Sequence, residues 1–327
     1  MRVFMIGGTG FLGYHALKEL LARGHSVATV ALPPMPADGL LPPRVDCRLG
    51  DAFKMGDAEI LRFMEGSEGF MYAAGLDDRV ILPKPAYPKF REANVDQCLR
   101  LLRLARKAGA RKAVVFGSYF TYFDRIWPEL RLTEHHCYIR SRAEQREAVL
   151  AESRDGMETV VLELPYIFGT MPGRKPLWTF LIDILRGMGP VVLYPKRRGG
   201  TAMVTVRQVA TAAAGALERG EGGRSCPIGG VNMAWAEFIP LLLEAMGSPR
   251  PFVHLPKSLY ELGNARMARD HEKRGLEAGL DLVRLADIMY RYAYIDPAGP
   301  MSQLGYGPDD VRAAIRETVA ACLAGPG

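Results

Sequence analysis

The chain opens MRVFMIGGTGFLG, a short apolar run, Val3 to Ile6, that passes directly into glycines at Gly7, Gly10 and Gly13 and then into the helical pattern Tyr14 to Arg23. This order of strand, glycine turn and helix leaves few folds open. Gly7 permits the tight turn off the strand, Gly10 lets backbone come close to a pyrophosphate, and Gly13 lets the helix pack against the sheet. The helix N-terminus offers unpaired N–H groups and a partial positive charge to phosphate. The turn, with Thr9, Phe11 and Leu12 between the glycines, reads as a dinucleotide-binding site because it has the flanking elements that a chance glycine triplet lacks.

Apolar runs then alternate with helical periodicity. Strands are expected at Val27 to Leu32, Val45 to Leu49, Phe70 to Ala74, Ala113 to Phe116 and Thr159 to Leu164. Helices are expected over Asn94 to Ala108 and after Tyr138. Such alternation implies a Rossmann-type, doubly wound parallel sheet with helices on both faces. Residues 1–165 read as the dinucleotide-binding domain. From Pro165 onward the loops grow rich in Gly, Pro and Arg, and residues 166–327 read as a smaller, substrate-binding C-terminal lobe. Helices are expected there over Gln208 to Glu218 and Ala234 to Met246. Part of 200–230, the strand at Ser225 to Ile228, is expected to return to the main sheet.

With 48% hydrophobic and 24% charged residues in 327, the chain can bury a large core. Its net charge of +6 is spread thinly, without a dense basic block, which argues against nucleic acid as a partner. Five widely spaced cysteines without a C-x-x-C pair read as reduced thiols of a cytoplasmic protein. A first strand starting at residue 2 leaves no room for a signal peptide, and no apolar stretch is long enough for a membrane span.

The G-x-x-G-x-x-G spacing, Gly50-Asp51 after the third strand, Ala73-Ala74-Gly75 after the fourth, Asn94-Val95 on the next helix and a serine after the fifth strand together resemble the extended short-chain dehydrogenase/reductase family, of the NAD-dependent epimerase/dehydratase type. The resemblance covers nearly the whole chain. It implies that Asp51 receives the adenine amine, that Ala73, Ala74 and Gly75 lie along the cofactor, and that Pro165 and Ile167 line the nicotinamide end. It implies a catalytic set of Ser118, Tyr138 and the residue four beyond the tyrosine. That residue is lysine in the family and Arg142 here. Residues four apart share a helix face, so Tyr138 and Arg142 point into one site. A free tyrosine titrates near ~10 and needs a neighbouring cation to work at neutral pH. Arginine keeps the charge and offers a donor fork to the cofactor ribose, yet it cannot give up a proton as lysine can.

The implied activity is NAD(P)-dependent oxidoreduction, hydride transfer at a carbonyl or secondary alcohol of a small-molecule substrate, with nucleotide-sugar epimerisation and a non-catalytic NAD(P)-binding sensor as alternatives. Dehydration is disfavoured, since Ser118-Tyr119-Phe120 stands where sugar-nucleotide dehydratases carry Thr-Asp-Glu. Gln208 replaces the aspartate of the family's V-x-D-V-A stretch. The second strand ends Val30-Ala31-Leu32-Pro33-Pro34, without a carboxylate for an adenosine ribose, which leans the cofactor slightly to NADP; Arg44 would reach a 2′-phosphate if the Pro33 to Pro43 loop folds back. Arg174 with Lys175, and Arg197 with Lys196 and Arg198, sit in loops that border the cleft in relatives and would suit an anionic substrate, while Tyr119 and Trp178 are candidate substrate contacts. His135, His136 and Cys137 are too close in sequence to share a metal, so none is expected, and Thr133-Glu134 reads as a cap for the tyrosine helix. Family members pair through helices placed as Asn94 to Ala108 and Tyr138 to Ser153, so a homodimer is implied.

Overall fold

The computed structural model describes residues 1–33, 39–195 and 197–324. Strand β1 (Arg2–Ile6) leads through the glycine turn into α1 (Phe11–Ala22), followed by β2 (Ser26–Ala31), β3 (Asp46–Leu49), α2 (Asp57–Met64) and β4 (Gly69–Tyr72). After the short strand β5 (Ile81–Pro83), α3 (Tyr87–Arg91) passes through one π turn, Glu92–Asp96, into α4 (Gln97–Lys107). Then come β6 (Lys112–Ser118), α5 (Phe120–Ile126), α6 (Leu132–His135), α7 (Cys137–Ala151) and β7 (Glu158–Leu164). Beyond Pro165 lie β8 (Tyr166–Phe168), α8 (Thr179–Gly187), β9 (Val192–Tyr194), β10 (Gly200–Thr205), α9 (Val206–Arg219), β11 (Arg224–Pro227), β12 (Val231–Ala234) and α10 (Trp235–Ala245).

The main sheet is parallel throughout, in the order β11-β7-β6-β4-β1-β2-β3. The reason is visible in β1, where successive side chains point to opposite faces and both faces are covered. Val3 and Met5 join Leu17 and Leu20 of α1 and Val209 and Ala213 of α9 in one core. Phe4 and Ile6 join Ile60 of α2, Leu101 and Leu102 of α4 and Val149 of α7 in the other. Strand β11 pairs with β7 at the sheet's edge, Cys226 opposite Leu162, so chain from beyond β8 completes the first sheet. The lobe has its own core around Phe168, Trp235 and Phe238, built from β8, β10, α8, α10 and a last helix over Val311–Leu323.

Gly7 and Gly13 are fixed by space. Gly7 holds φ +86°, and a Cβ there would sit 2.5 Å from the Ala73 carbonyl oxygen; a Cβ on Gly13 would lie 2.0 Å from the Gly7 oxygen. The turn is therefore folded onto itself more tightly than any side chain allows.

Gln208, at the position where the resemblance implies an aspartate, caps its own helix. Thr205 and Gln208 form a reciprocal capping box at the start of α9, the Gln208 amide N–H donating to Thr205 Oγ1 (3.1 Å) and the Thr205 N–H to Gln208 Oε1 (3.0 Å). The negative charge comes from Asp309, which accepts from the Thr205 hydroxyl at 2.6 Å and pairs with Arg207 at 2.9 Å.

Candidate active site

The C-terminal ends of β1, β4, β6 and β7 open into a cleft of about 270 Å³, where ligands of open parallel sheets bind. Its walls include Phe11, Leu12, Ala73, Ala74 and Gly75 on the nucleotide side, with Pro165 and Ile167 beyond them. Ser118, Tyr138 and Arg142 face the same space. The chain thus brings the sequence-predicted catalytic set and the residues along the cofactor to one cavity.

Ser118 ends β6 and is 5% exposed; its Oγ accepts a long bond from the Phe120 N–H, 3.4 Å. Tyr138 begins the first turn of α7, with its backbone N–H on the Gly279 oxygen (2.9 Å) and its ring packed edge-on to Phe90 and Phe120. Burial pushes its hydroxyl above the usual tyrosine range. The nearby Arg142 charge opposes that rise most, Asp78 adds to it, and the Ser118 hydroxyl works with Arg142.

Arg142 is 8% exposed and held by three acceptors: Nη1 donates to the Phe116 oxygen (3.3 Å) and Gln145 Oε1 (2.9 Å), and Nη2 to the Leu76 oxygen (3.2 Å). Its Cζ stands 5.4 Å from the Tyr138 ring centre. The Nε–H is buried without a protein partner. Of five donors, the Nε–H and one Nη2 proton are left for a ligand. A buried orphan donor at this place, and a glycine turn that a Cβ would fill, fit a nicotinamide dinucleotide: the turn would hold its phosphates and Arg142 its ribose diol.

The π turn before α4 sets this helix in place, and sequence reading treats it as ordinary helix. Asn94, wholly buried, accepts from the Leu76 N–H (2.8 Å) and donates to Ser141 Oγ (3.0 Å), while its own carbonyl takes a bond from Gln145 Nε2 (2.5 Å). Because Gln145 also holds Arg142, one asparagine couples the loop after β4 to the face of α7 that carries the site.

The remaining expectations divide. Asp51 Oδ1 accepts from the Phe53 N–H at 3.0 Å, a turn role, while Oδ2 faces Lys54 at 3.4 Å. Tyr119 lines the cleft, yet its hydroxyl is joined to Thr201 Oγ1 at 3.0 Å, so it offers a ring edge only. Trp178 also lines the cleft; its indole N–H donates to the Ile167 oxygen (2.7 Å) and its ring stacks on Phe168 at 4.5 Å. Arg174 reaches over the glycine turn, its Nη1 3.8 Å from where a Gly10 Cβ would be. The loop carrying it is tied to α1 by His15 Nε2 and the Thr170 oxygen, 2.8 Å apart.

Three expectations are corrected. Arg197 is not at the cleft: it borders a separate open depression with Trp127, Arg198 and Tyr290, because its loop turns toward His254, whose Nδ1 accepts from the Arg197 N–H at 3.5 Å. Arg44 is no 2′-phosphate clamp, since it donates to the Leu21 oxygen (3.0 Å) at the far end of α1; Pro34 to Asp38, also in the selector region, and Lys196 lie outside the described residues. Thr133 and Glu134 belong to α6, where Glu134 pairs with Arg131, and α7 starts after His136. His136 accepts from the Asp281 N–H at 2.9 Å and burial lowers its pKa to about 4, while the Cys137 thiol points to the Ala278 and Gly279 carbonyls.

Sequence reading missed Asp77, Asp78 and Arg79 in the loop after β4, and Met171, Leu177 and Phe180 across from them, all on the cleft wall. Arg79 forks onto Asp77 (3.2 and 3.0 Å) and lies 5.6 Å from the Phe180 ring centre. A charged tripeptide after the fourth strand was the available signal.

A profile of the NAD dependent epimerase/dehydratase family matches residues 3–229, and the chain belongs to this family of enzymes. It is 24% identical over 337 residues to sterol demethylase protein B of Methylococcus capsulatus, covering 98% of both chains. It is 27% identical over 273 residues to the 4-hydroxy-2-methyl-3-oxo-4-farnesyl-3,4-dihydroquinoline-1-oxide ketoreductase of Stigmatella aurantiaca, with 78% of this chain and 76% of that one covered. The UDP-glucose 4-epimerase of Thermus thermophilus, solved with NAD, superposes with TM-score 0.67 at 19% identity over 98% of this chain and 99% of its own, a likeness of fold. No helix among the described residues is long and apolar enough to cross a membrane.

Proposed function

We propose that the chain is an NAD(P)-dependent oxidoreductase that interconverts a ketone and a secondary alcohol on a substrate with an apolar ring or isoprenoid body. The observation that carries this reading is the gathering of Ser118, Tyr138 and Arg142 on one cleft wall, with the glycine turn at the same edge of the sheet. When bound, the nicotinamide supplies or takes up the hydride. Tyr138 gives its hydroxyl proton to the substrate oxygen in the reducing direction, Ser118 donates a hydrogen bond to that oxygen, and Arg142 favours the resulting phenolate. Arg174 is assigned to the dinucleotide phosphates, being at the glycine turn, rather than to an anionic substrate.

The apolar substrate is supported by the far wall. Tyr166, Trp178 and Phe180 line it with Met171 and Leu177, and Leu177 and Phe180 are 48% and 42% exposed at the mouth. A sugar nucleotide would find few free polar partners there. The names of the two curated relatives, one a sterol protein and one a ketoreductase of a farnesyl-bearing substrate, agree with this.

The test is to denature the purified protein, identify any released nucleotide, and measure NAD, NADH, NADP and NADPH affinities by calorimetry, then screen polycyclic and isoprenoid ketones beside UDP-sugars. Exchangeable binding with ketone reduction supports the proposal. Retained NAD with UDP-sugar turnover would replace it with epimerisation, and binding with no turnover on either class would leave a sensor. The lean to NADP loses Arg44, which is bound at the far end of α1, so the four affinities decide it. Arg142→Lys completes the test: gain of turnover marks decayed catalysis, loss marks arginine as part of the working site.

A further inference from the structure

Arginine at 142 leaves a task open. The tyrosine that protonates a substrate oxygen must be reprotonated each cycle, and a guanidinium does not release protons in the accessible pH range. The cleft wall has two carboxyl groups, Asp77 and Asp78. Asp77 is committed to the Arg79 fork. Asp78 is half-buried, lines the same cavity as Tyr138, and has no side-chain partner among the described hydrogen bonds and ion pairs.

We propose that Asp78 carries protons between solvent in the cleft and the Tyr138 hydroxyl, taking the place of the lysine that this chain lacks. The inference rests on the oxidoreductase reading above. In the reducing direction the Tyr138 O–H bond breaks as its proton goes to the substrate oxygen. The Asp78 carboxylic acid then returns a proton to the phenolate, and the carboxylate left behind takes one from water. The transfer runs downhill, from a carboxylic acid to a phenolate.

The groups around Asp78 suit this. Tyr138 and Arg142 of α7, Tyr119 at the end of β6, Tyr166 of β8 and Asp77 and Arg79 on its own loop line the same cleft and lie within reach of its charge. Burial pushes its pKa up, with Asp77 adding to the rise and Arg79 and Arg142 opposing it. The one lysine on the wall, Lys175, is exposed beside Arg174 in the loop over the glycine turn.

The first experiment needs no substrate: the infrared carbonyl band of a protonated carboxylic acid, taken as the difference between wild type and Asp78→Asn across pH 4 to 8. A band persisting above the ordinary carboxylate range is expected; its absence overturns the proposal, whatever the enzyme reduces. With a ketone substrate, Asp78→Asn should lower turnover about ten- to a hundredfold and leave dinucleotide affinity within about twofold. In wild type, turnover falls as pH rises through the Asp78 pKa, because only the acid form donates; that limb disappears in Asp78→Asn and returns, displaced, in Asp78→Glu. An unchanged pH profile in Asp78→Asn sinks the relay while leaving the oxidoreductase reading intact, whereas failure of wild type to bind dinucleotide sinks the reading first.

Discussion

The two ends of the cleft are built on different terms. At the glycine turn the geometry is set by backbone: Gly7 and Gly13 admit no side chain, and the start of α1 presents N–H donors, with the Arg174 side chain reaching over them. At the reacting end the contacts are made by side chains drawn from distant segments, Arg142 resting on Phe116, Leu76 and Gln145, and Tyr138 on Phe90 and Phe120. Backbone geometry tolerates almost no substitution, whereas a side-chain network can exchange members. The chain does this at position 142 without losing the cation.

If the ends are separable, they break separately. Tyr138→Phe should cut turnover by roughly 10²- to 10⁴-fold while dinucleotide affinity stays near wild type; retained activity in a steady-state assay would dissolve the distinction from the reacting side. Gly13→Ala should do the reverse, weakening dinucleotide binding by about 100-fold, with a loss of fold stability of roughly 2–4 kcal/mol, because its Cβ has no room beside the Gly7 oxygen. Calorimetry with thermal unfolding reads both.

Stability against pH sharpens the comparison, since His136 belongs to the architecture of the reacting end alone. Its pKa is near 4 in the fold and about 6.5 in an unfolded chain. The unfolded state therefore binds more protons between those values, and stability is full above pH 6.5 and falls as pH drops toward 4, by on the order of 2–3 kcal/mol. Urea unfolding of wild type and His136→Gln across this range should show a slope in the first and little in the second.

Arg174→Ala should weaken dinucleotide binding about tenfold and leave the KM for the second substrate nearly unchanged, as a lost charge-assisted contact to phosphate does. A changed KM alone would return Arg174 to the substrate. The smallest effect concerns assembly. The outward faces of α4 and α7 carry Arg103, Lys107, Arg140 and Glu147, and no large apolar side chain is exposed on either helix. A homodimer through them would be governed by charge rather than by apolar burial, so sedimentation should show its strength changing between low and high salt.

Much of the fold was legible in the sequence because both its signals are local. Alternating apolar runs and helical periodicity are written in windows of ten residues, and the strands of the main sheet fall where those windows place them. The glycine turn is as local, while the Ser118, Tyr138 and Arg142 set came from the family resemblance, and the structure brings the three to one cleft. Arg44 and Arg197 were misplaced because a loop cation's position depends on what the loop packs against: the Leu21 carbonyl in one case, the His254 strand in the other. Asp78 was overlooked because its surroundings come from β6, β8 and α7, none adjacent to it in sequence. The π turn at Asn94 was invisible since its pattern is that of ordinary helix.

The carboxylate of Asp309 shows what position in a sequence conceals. The family resemblance implies an aspartate at 208, where the chain has Gln208; in space, a carboxylate stands at the same helix start, delivered by chain 104 residues downstream of Thr205. The C-terminal segment is consequently a working part of the first domain's architecture. Cutting the chain anywhere between Thr205 and Asp309 for expression would leave the start of α9 without its carboxylate.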